Sequence, residues 1–136
     1  MHLEMINPEA LGAPRGYSNG VLAPAGGRML FVAGQIAWNS DQEVVGGAFV
    51  VQFSQALKNV LAVVEAAGGT ATDLASMTIY VTDKEAYIGE IKGVGAAYRA
   101  LMGRHFPAMA LVEINGLLEP RAHVEIQAIA VLPPNK

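Results

Sequence analysis

The stretch ASMTIYVTD, residues 75–83, decides the fold. Met77, Ile79 and Val81 fall on one side of a two-residue alternation, and Ser76, Thr78, Tyr80 and Thr82 fall on the other. That is the period of a strand with one apolar face and one polar-leaning face. The segments before and after it have a different period. Between residues 47 and 67, Phe49, Phe53, Leu57, Val60, Leu61 and Val64 recur at steps of three and four, which places them on one face of a helix. Gly68-Gly69 ends that helix, because glycine takes the left-handed cap at little cost. On the far side, Asp83 is placed to cap a second helix. Tyr87, Ile91, Val94, Tyr98 and Leu101 then continue at helical spacing. Gly89, Gly93 and Gly95 lie inside this second helix, each costing roughly 1 kcal/mol against alanine, so it either packs unusually close to a neighbour or is locally loose.

Working outward, VLAPA (21–25) and RMLFVAG (28–34) are apolar runs flanking Gly26-Gly27, the pattern of a hairpin. NSDQ (39–42) is a turn cluster. PAMALVEI (107–114) and AHVEIQAIAVL (122–132) read as the last two strands, joined by the turn-like NGLLEPR. The order is β-β-α-β-α-β-β, with antiparallel pairs expected at both ends. It implies one α+β domain over residues 1–136, with two helices on one face of the sheet. The other face carries Thr78, Tyr80 and one alternating set of the last strand.

Composition points to a partner for that face. Hydrophobic residues make up 52% of the chain and charged residues 15%, against about 25% in ordinary domains. So little charge cannot cover a small domain, and contact between copies is the simplest remedy. The net charge of -3 gives no electrostatic footprint for nucleic acid or an anionic membrane. There is no cysteine, which removes disulfides and thiolate metal sites and fits a reducing compartment. The first residues lack the basic start and apolar run of a signal peptide, and no apolar stretch reaches membrane-spanning length. A cytoplasmic location is expected.

Several familiar chemistries lack their residues. His2, His105 and His123 have no metal-ligand spacing, and neither metal nor cofactor is implied. GAPRGYSNG lacks the lysine of a phosphate loop, and no serine sits in a nucleophile elbow. What remains is a set of polar residues inside strands. Glu113 alternates with Leu111 and Met109; His123, Glu125 and Gln127 alternate on the last strand. A carboxylate within an apolar strand is costly unless it is paired or used, so these are either satisfied structural groups or groups that hold a water or proton near a cleft.

VAGQIAW (32–38), LKNVLAVVEAAG (57–68), FPAMALVEI (106–114) and VEIQAIAV (124–131) together resemble the RidA/YjgF family, also catalogued as endoribonuclease L-PSP and translation initiation inhibitor. The resemblance runs from about Tyr17 to Val131. It implies a chorismate-mutase-like α+β fold and a homotrimer with small-molecule clefts between subunits. It also implies 2-iminobutanoate/2-iminopropanoate deaminase activity, in which reactive imines and enamines are hydrolysed to 2-keto acids and ammonia. Residue by residue, Tyr17 matches the family's cleft-closing tyrosine, Gly34 its Gly-Gln-Ile glycine and Glu125 its last-strand glutamate. The arginine of the family's Pro-Ala-Arg motif, which grips the substrate carboxylate with a bidentate fork, is replaced by Met109. An asparagine of the second helix is replaced by Gly95, and Gln127 stands where a second glutamate is frequent. Methionine offers neither donor nor charge. The ordinary deaminase mechanism therefore loses its anchor unless Arg15, Arg104 or Arg121 supplies another guanidinium, with Arg15 nearest in sequence to Tyr17. The expected cleft is similar but more apolar, built from Arg15, Tyr17, Gly34, Met109 and Glu125. The competing roles are a non-enzymatic ligand-sensing or protein-binding trimer and, least favoured by the acidic balance, an endoribonuclease.

Overall fold

A computed structural model describes residues 2–135. Its elements are β1 (Glu4–Ile6), β2 (Gly20–Leu22), β3 (Arg28–Gln35), α1 (Phe49–Ala66), β4 (Leu74–Val81), α2 (Lys84–Gly89), α3 (Ile91–Met102), β5 (Ala108–Glu113) and β6 (Val124–Leu132). The main sheet has the order β3-β6-β4-β5, and the helices cover one face of it. The expected α+β architecture is present.

Strand alternation sets the two faces. Met77, Ile79 and Val81 of β4 and Val124, Ile126, Ala128, Ala130 and Leu132 of β6 are buried beneath the helices. They pack against Phe53, Leu57, Val60 and Val64 of α1, the stripe read from its spacing. Leu57, Val60 and Val64 are wholly inaccessible, and burying each such side chain is worth roughly 1.5–3 kcal/mol. Thr78 and Tyr80 point to the open face, as expected, beside Glu125 and Gln127 of β6. Met29 and Phe31 of β3 are 60% and 70% exposed there, so the uncovered face has an apolar end.

The helix ends follow the capping logic of the sequence. Gly68 takes φ +89°, its N–H donates to Glu65 and that of Gly69 donates to Val64, closing α1 in a Schellman motif. The Asp83 carboxylate accepts from the Glu85 N–H at the start of α2.

Three expectations are corrected. The run at 21–25 does not form a hairpin with 28–34: β2 pairs antiparallel with β1, and among the described residues β3 pairs with β6 alone. The Gly-Gly pair instead turns the chain into β3: Gly26 takes φ +84°, and a Cβ on Gly27 would stand 2.5 Å from Val131 Cγ1 of the neighbouring β6. The last two strands are consecutive but not adjacent: β6 is antiparallel to both β3 and β4, and β5 is parallel to β4 at the sheet edge. β6 is buried along a complete alternating set and takes the interior position, whereas β5 exposes Ala110, Val112 and Glu113 and suits an edge.

The third correction concerns the second helix, which is two helices broken at Glu90 (φ -113°, ψ 22°). The break has a use. The α1 N-cap, Ala48, has no side-chain acceptor, and the Glu90 carboxylate instead accepts from the N–H groups of Phe49 and Val50 at 3.2 and 3.3 Å. Those N–H groups are among the four that a helix leaves unsatisfied at its start. Gly93 then packs against Val50, so the close-packing reading of the glycines holds there, while a Cβ on Gly89 would meet open space.

A second polar tie fixes the far end of the sheet. Gln52 is 2% exposed; its amide N–H donates to the carbonyl of Arg121 and its amide oxygen accepts from the His123 N–H. This pins the segment entering β6 against α1 and so sets the register from which Glu125 projects.

Candidate functional site

The segment before β2 is stitched to the start of β5. The Ser18 hydroxyl donates to the Phe106 carbonyl at 2.5 Å, its N–H donates to Pro107 at 3.0 Å, and Ser18 bridges Ala108 in parallel. Ser18 is buried, so these bonds are shielded from competing water. They hold Arg15, Gly16 and Tyr17 beside the first residues of β5. Met109 follows Ala108 and turns to the helix side, level with Met77 of β4.

Between this corner and α3 lies a cavity of about 400 Å³. Its inner wall is apolar: Phe53, Ile79, Phe106, Met109 and Leu111. Phe53 and Ile79 are 2% and 5% exposed, so this wall is continuous with the core. Its outer rim carries Arg15, Tyr17 and Arg99, all exposed. Tyr98 also lines it, but the Tyr98 hydroxyl donates to the His105 carbonyl at 2.6 Å, and burial pushes this phenol above its ordinary value of 10.0. Tyr98 is therefore a neutral, committed donor and no proton acceptor for a ligand.

Of Arg15, Arg104 and Arg121, the arginines singled out from the sequence, Arg15 lines the cavity. Arg121 is engaged with Glu119 at 3.3 Å, and the exposed turn residue Arg104 is absent from the cavity lining. The sequence reading missed Arg99. It stands one helical turn after Gly95, and a Cβ on Gly95 would lie 3.3 Å from Arg99 Nη1. Position 95, empty beyond Cα, therefore leaves room for the Arg99 side chain to lie back over the helix. The four-residue spacing was the available signal.

Glu125 and Gly34 are elsewhere. Glu125 projects from β6 onto the open face, level with Tyr80 of β4. Gly34 sits in a bulge of β3, where Ala33 and Gly34 have no register partner between Val32↔Ala128 and Gln35↔Ile126. A Cβ on Gly34 would stand 2.7 Å from the carboxyl carbon of Glu125. Among the described residues no protein donor reaches that carboxylate. Two other polar residues hold the fold: Glu113 of β5 accepts from the Lys84 N–H at the start of α2, and His105, in the segment before β5, donates from Nε2 to the Leu74 carbonyl at 2.7 Å. Of the five expected site residues, Arg15, Tyr17 and Met109 thus share one cavity, and Gly34 and Glu125 form a second group on the opposite face of the sheet.

The Endoribonuclease L-PSP family model matches residues 7–132. The chain belongs to this family, the RidA/YjgF family. It is 36% identical over 108 residues to the 2-iminobutanoate/2-iminopropanoate deaminase of Escherichia coli K12, covering 77% of this chain and 80% of that one. Among solved structures, a Rid-family protein of unknown function from Yersinia pestis superimposes with a TM-score of 0.85 at 31% identity, covering 97% of this chain and 100% of that one. Escherichia coli TdcF with bound serine superimposes with a TM-score of 0.65 at 29% identity, covering 88% and 91%. The family's fold is that of the chain: a mixed sheet with helices on one side.

Proposed function

We propose that this RidA-family chain works as a homotrimer whose inter-subunit clefts bind or hydrolyse a small imine, enamine or related metabolite, without the arginine grip used for plain 2-imino acids. The observation that carries this reading is the placement of Met109 and Glu125 on opposite faces of one sheet, two strands apart. Strands are spaced about 4.8 Å apart, so no few-atom ligand touches both groups within one subunit. A complete site needs the open face of one copy beside the cavity of another. The exposed Met29 and Phe31 supply apolar surface for that contact. The E. coli deaminase and the serine complex of TdcF support a small nitrogenous ligand.

Hydrolysis of an imine adds water to the C=N carbon and expels ammonia, leaving a carbonyl. It needs one group to take a proton from water and return it to nitrogen. Glu125 is suited to this: its carboxylate is half-buried, free of protein donors among the described residues and held against Gly34. Met109 can only pack. An endoribonuclease is the reading supported least, since the cavity has no histidine and its two rim arginines form no basic stripe.

The test combines light scattering of the purified chain with ammonia release from a panel of imines and enamines, in the parent and in Glu125→Ala. A trimer whose turnover falls about a hundredfold or more in the variant is expected. A monomer would end the shared-cleft reading. Turnover unchanged in Glu125→Ala would remove Glu125 from the chemistry, and thermal stabilisation by the panel without turnover would favour a ligand sensor.

A further inference from the structure

Resting on the cavity as the ligand site, we propose that it selects an amphipathic monocarboxylate, with the carboxylate on Arg99 and Arg15 at the rim and an apolar or aromatic body packed inward on Met109. The polarity of the cavity runs one way. Phe53, Ile79, Met109 and Leu111 offer no hydrogen bond at the inner end. Both guanidinium groups stand at the outer end, and among the described residues neither has an ion-pair or hydrogen-bonding partner. A guanidinium matches a carboxylate through two parallel N–H donors. The unassigned hydroxyl of Tyr17 adds a further donor on the same rim.

Size sets the body of the ligand. A cleft of about 400 Å³ lies at the lower end of the range of small-molecule sites and has room for a small metabolite that carries a phenyl-sized body. A short acid held at the rim would leave the inner wall facing water, whereas a phenyl-sized group would cover it. A Cβ on Gly95 would lie 3.3 Å from Arg99 Nη1, so a side chain there shifts the guanidinium by a few tenths of an ångström.

The inference is tested by calorimetry on the full chain with three probes: 4-phenylbutanoate, 4-phenylbutan-1-ol and propanoate. The first keeps both ends, the second removes the charge and the third removes the body. 4-Phenylbutanoate should bind about tenfold or more tightly than either, the size of one charge-assisted hydrogen bond. Arg99→Gln should cost it about tenfold and cost the alcohol markedly less, and an unchanged melting temperature without ligand shows that the variant is folded. Arg99→Lys should recover part of the loss, and Gly95→Ala should move affinity in the direction of Arg99→Gln. No saturable binding of 4-phenylbutanoate, equal binding of the alcohol, or an unchanged Arg99→Gln would each overturn the inference. A trimer that binds the acid through Arg99 but releases no ammonia from the imine panel keeps the inference and ends the hydrolytic reading. Ammonia release indifferent to Arg99→Gln does the reverse.

Discussion

Gly34 and Glu125 occupy each other's space: a side-chain carbon on the glycine would stand 2.7 Å from the Glu125 carboxyl carbon and Oε2 and 2.9 Å from its Cγ. The glutamate lies over the bulge of β3 because position 34 is empty beyond Cα. Gly34→Ala should therefore displace the Glu125 side chain rather than the backbone, at about 0.5–1.5 kcal/mol for an off-rotamer conformation. In a Glu125→Ala background the colliding atoms are gone, and the same substitution should cost markedly less. Urea unfolding of the four proteins of this cycle measures the coupling. A Gly34→Ala cost that is equal in both backgrounds would show that the glycine serves only the bulge.

Glu90 should behave as the cap of a helix that is distant in sequence. Its carboxylate is the acceptor for the Phe49 and Val50 N–H groups, so Glu90→Ala should cost about 1 kcal/mol, in the range of lost N-caps. Restoring a local acceptor with Ala48→Ser should recover part of it. The double variant compared with Glu90→Ala alone, by thermal or urea unfolding, decides the point. If Ala48→Ser gives the same gain with Glu90 present, the two groups do not share a task.

Gln52 should be among the costliest polar positions to truncate. Gln52→Ala leaves the Arg121 carbonyl and the His123 N–H without their partner in a part-buried place. An unsatisfied buried group costs roughly 1–3 kcal/mol and a part-buried one less, so a loss of about 1–2 kcal/mol is expected. A loss below about 0.5 kcal/mol in urea unfolding would mean that water replaces the amide.

Most of the fold was legible because it rests on periodicity. The alternation of 75–83, the apolar stripe of α1, Gly68 at its end and Asp83 at the next start are local signals, and each operates as read. What was not legible depends on partners remote in sequence. Glu90 breaks a continuous helical pattern because α1 needs an acceptor some forty residues upstream, and no local rule reports that. The placement of β6 between β3 and β4 follows from its burial on the helix side, which a strand pattern shares with an edge strand. The candidate site residues came from resemblance, which grouped Met109 with Glu125 and said nothing of the sheet between them. Arg99 escaped notice because it is an exposed helical arginine until Gly95 is seen to make room for it.

Tyr98 should give the chain an alkaline limit. Burial raises its phenol well above the ordinary 10.0, so the folded form holds the proton at a pH where the unfolded form releases it. Stability rises with pH only where the unfolded state binds more protons, and here it binds fewer. The Tyr98 contribution should thus be intact below pH about 10 and should fall as pH rises beyond it. Tyr98→Phe loses the bond to the His105 carbonyl and should be less stable at pH 8, by about 1 kcal/mol, but should lose less between pH 8 and 11 than the parent. Parallel urea titrations at the two pH values read the difference, and equal losses in both proteins would remove Tyr98 as a cause.

Met109→Arg should redirect the cavity. The new guanidinium would enter where Ile79, Phe53 and Leu111 offer no partner, so the unliganded variant should lose about 1–3 kcal/mol of stability. A short carboxylate that reaches position 109 should restore it in proportion to the logarithm of its concentration. Propanoate should therefore raise the melting temperature of the variant by more than that of the parent, while 4-phenylbutanoate should weaken, because the inner wall is now charged. Hydrolysis of 2-aminoacrylate above the spontaneous rate should appear or increase in the variant. If the variant is folded and trimeric, binds propanoate and still gives no acceleration, the groups around Met109 are not an imine-hydrolysing site lacking only its anchor, and the cavity serves binding alone.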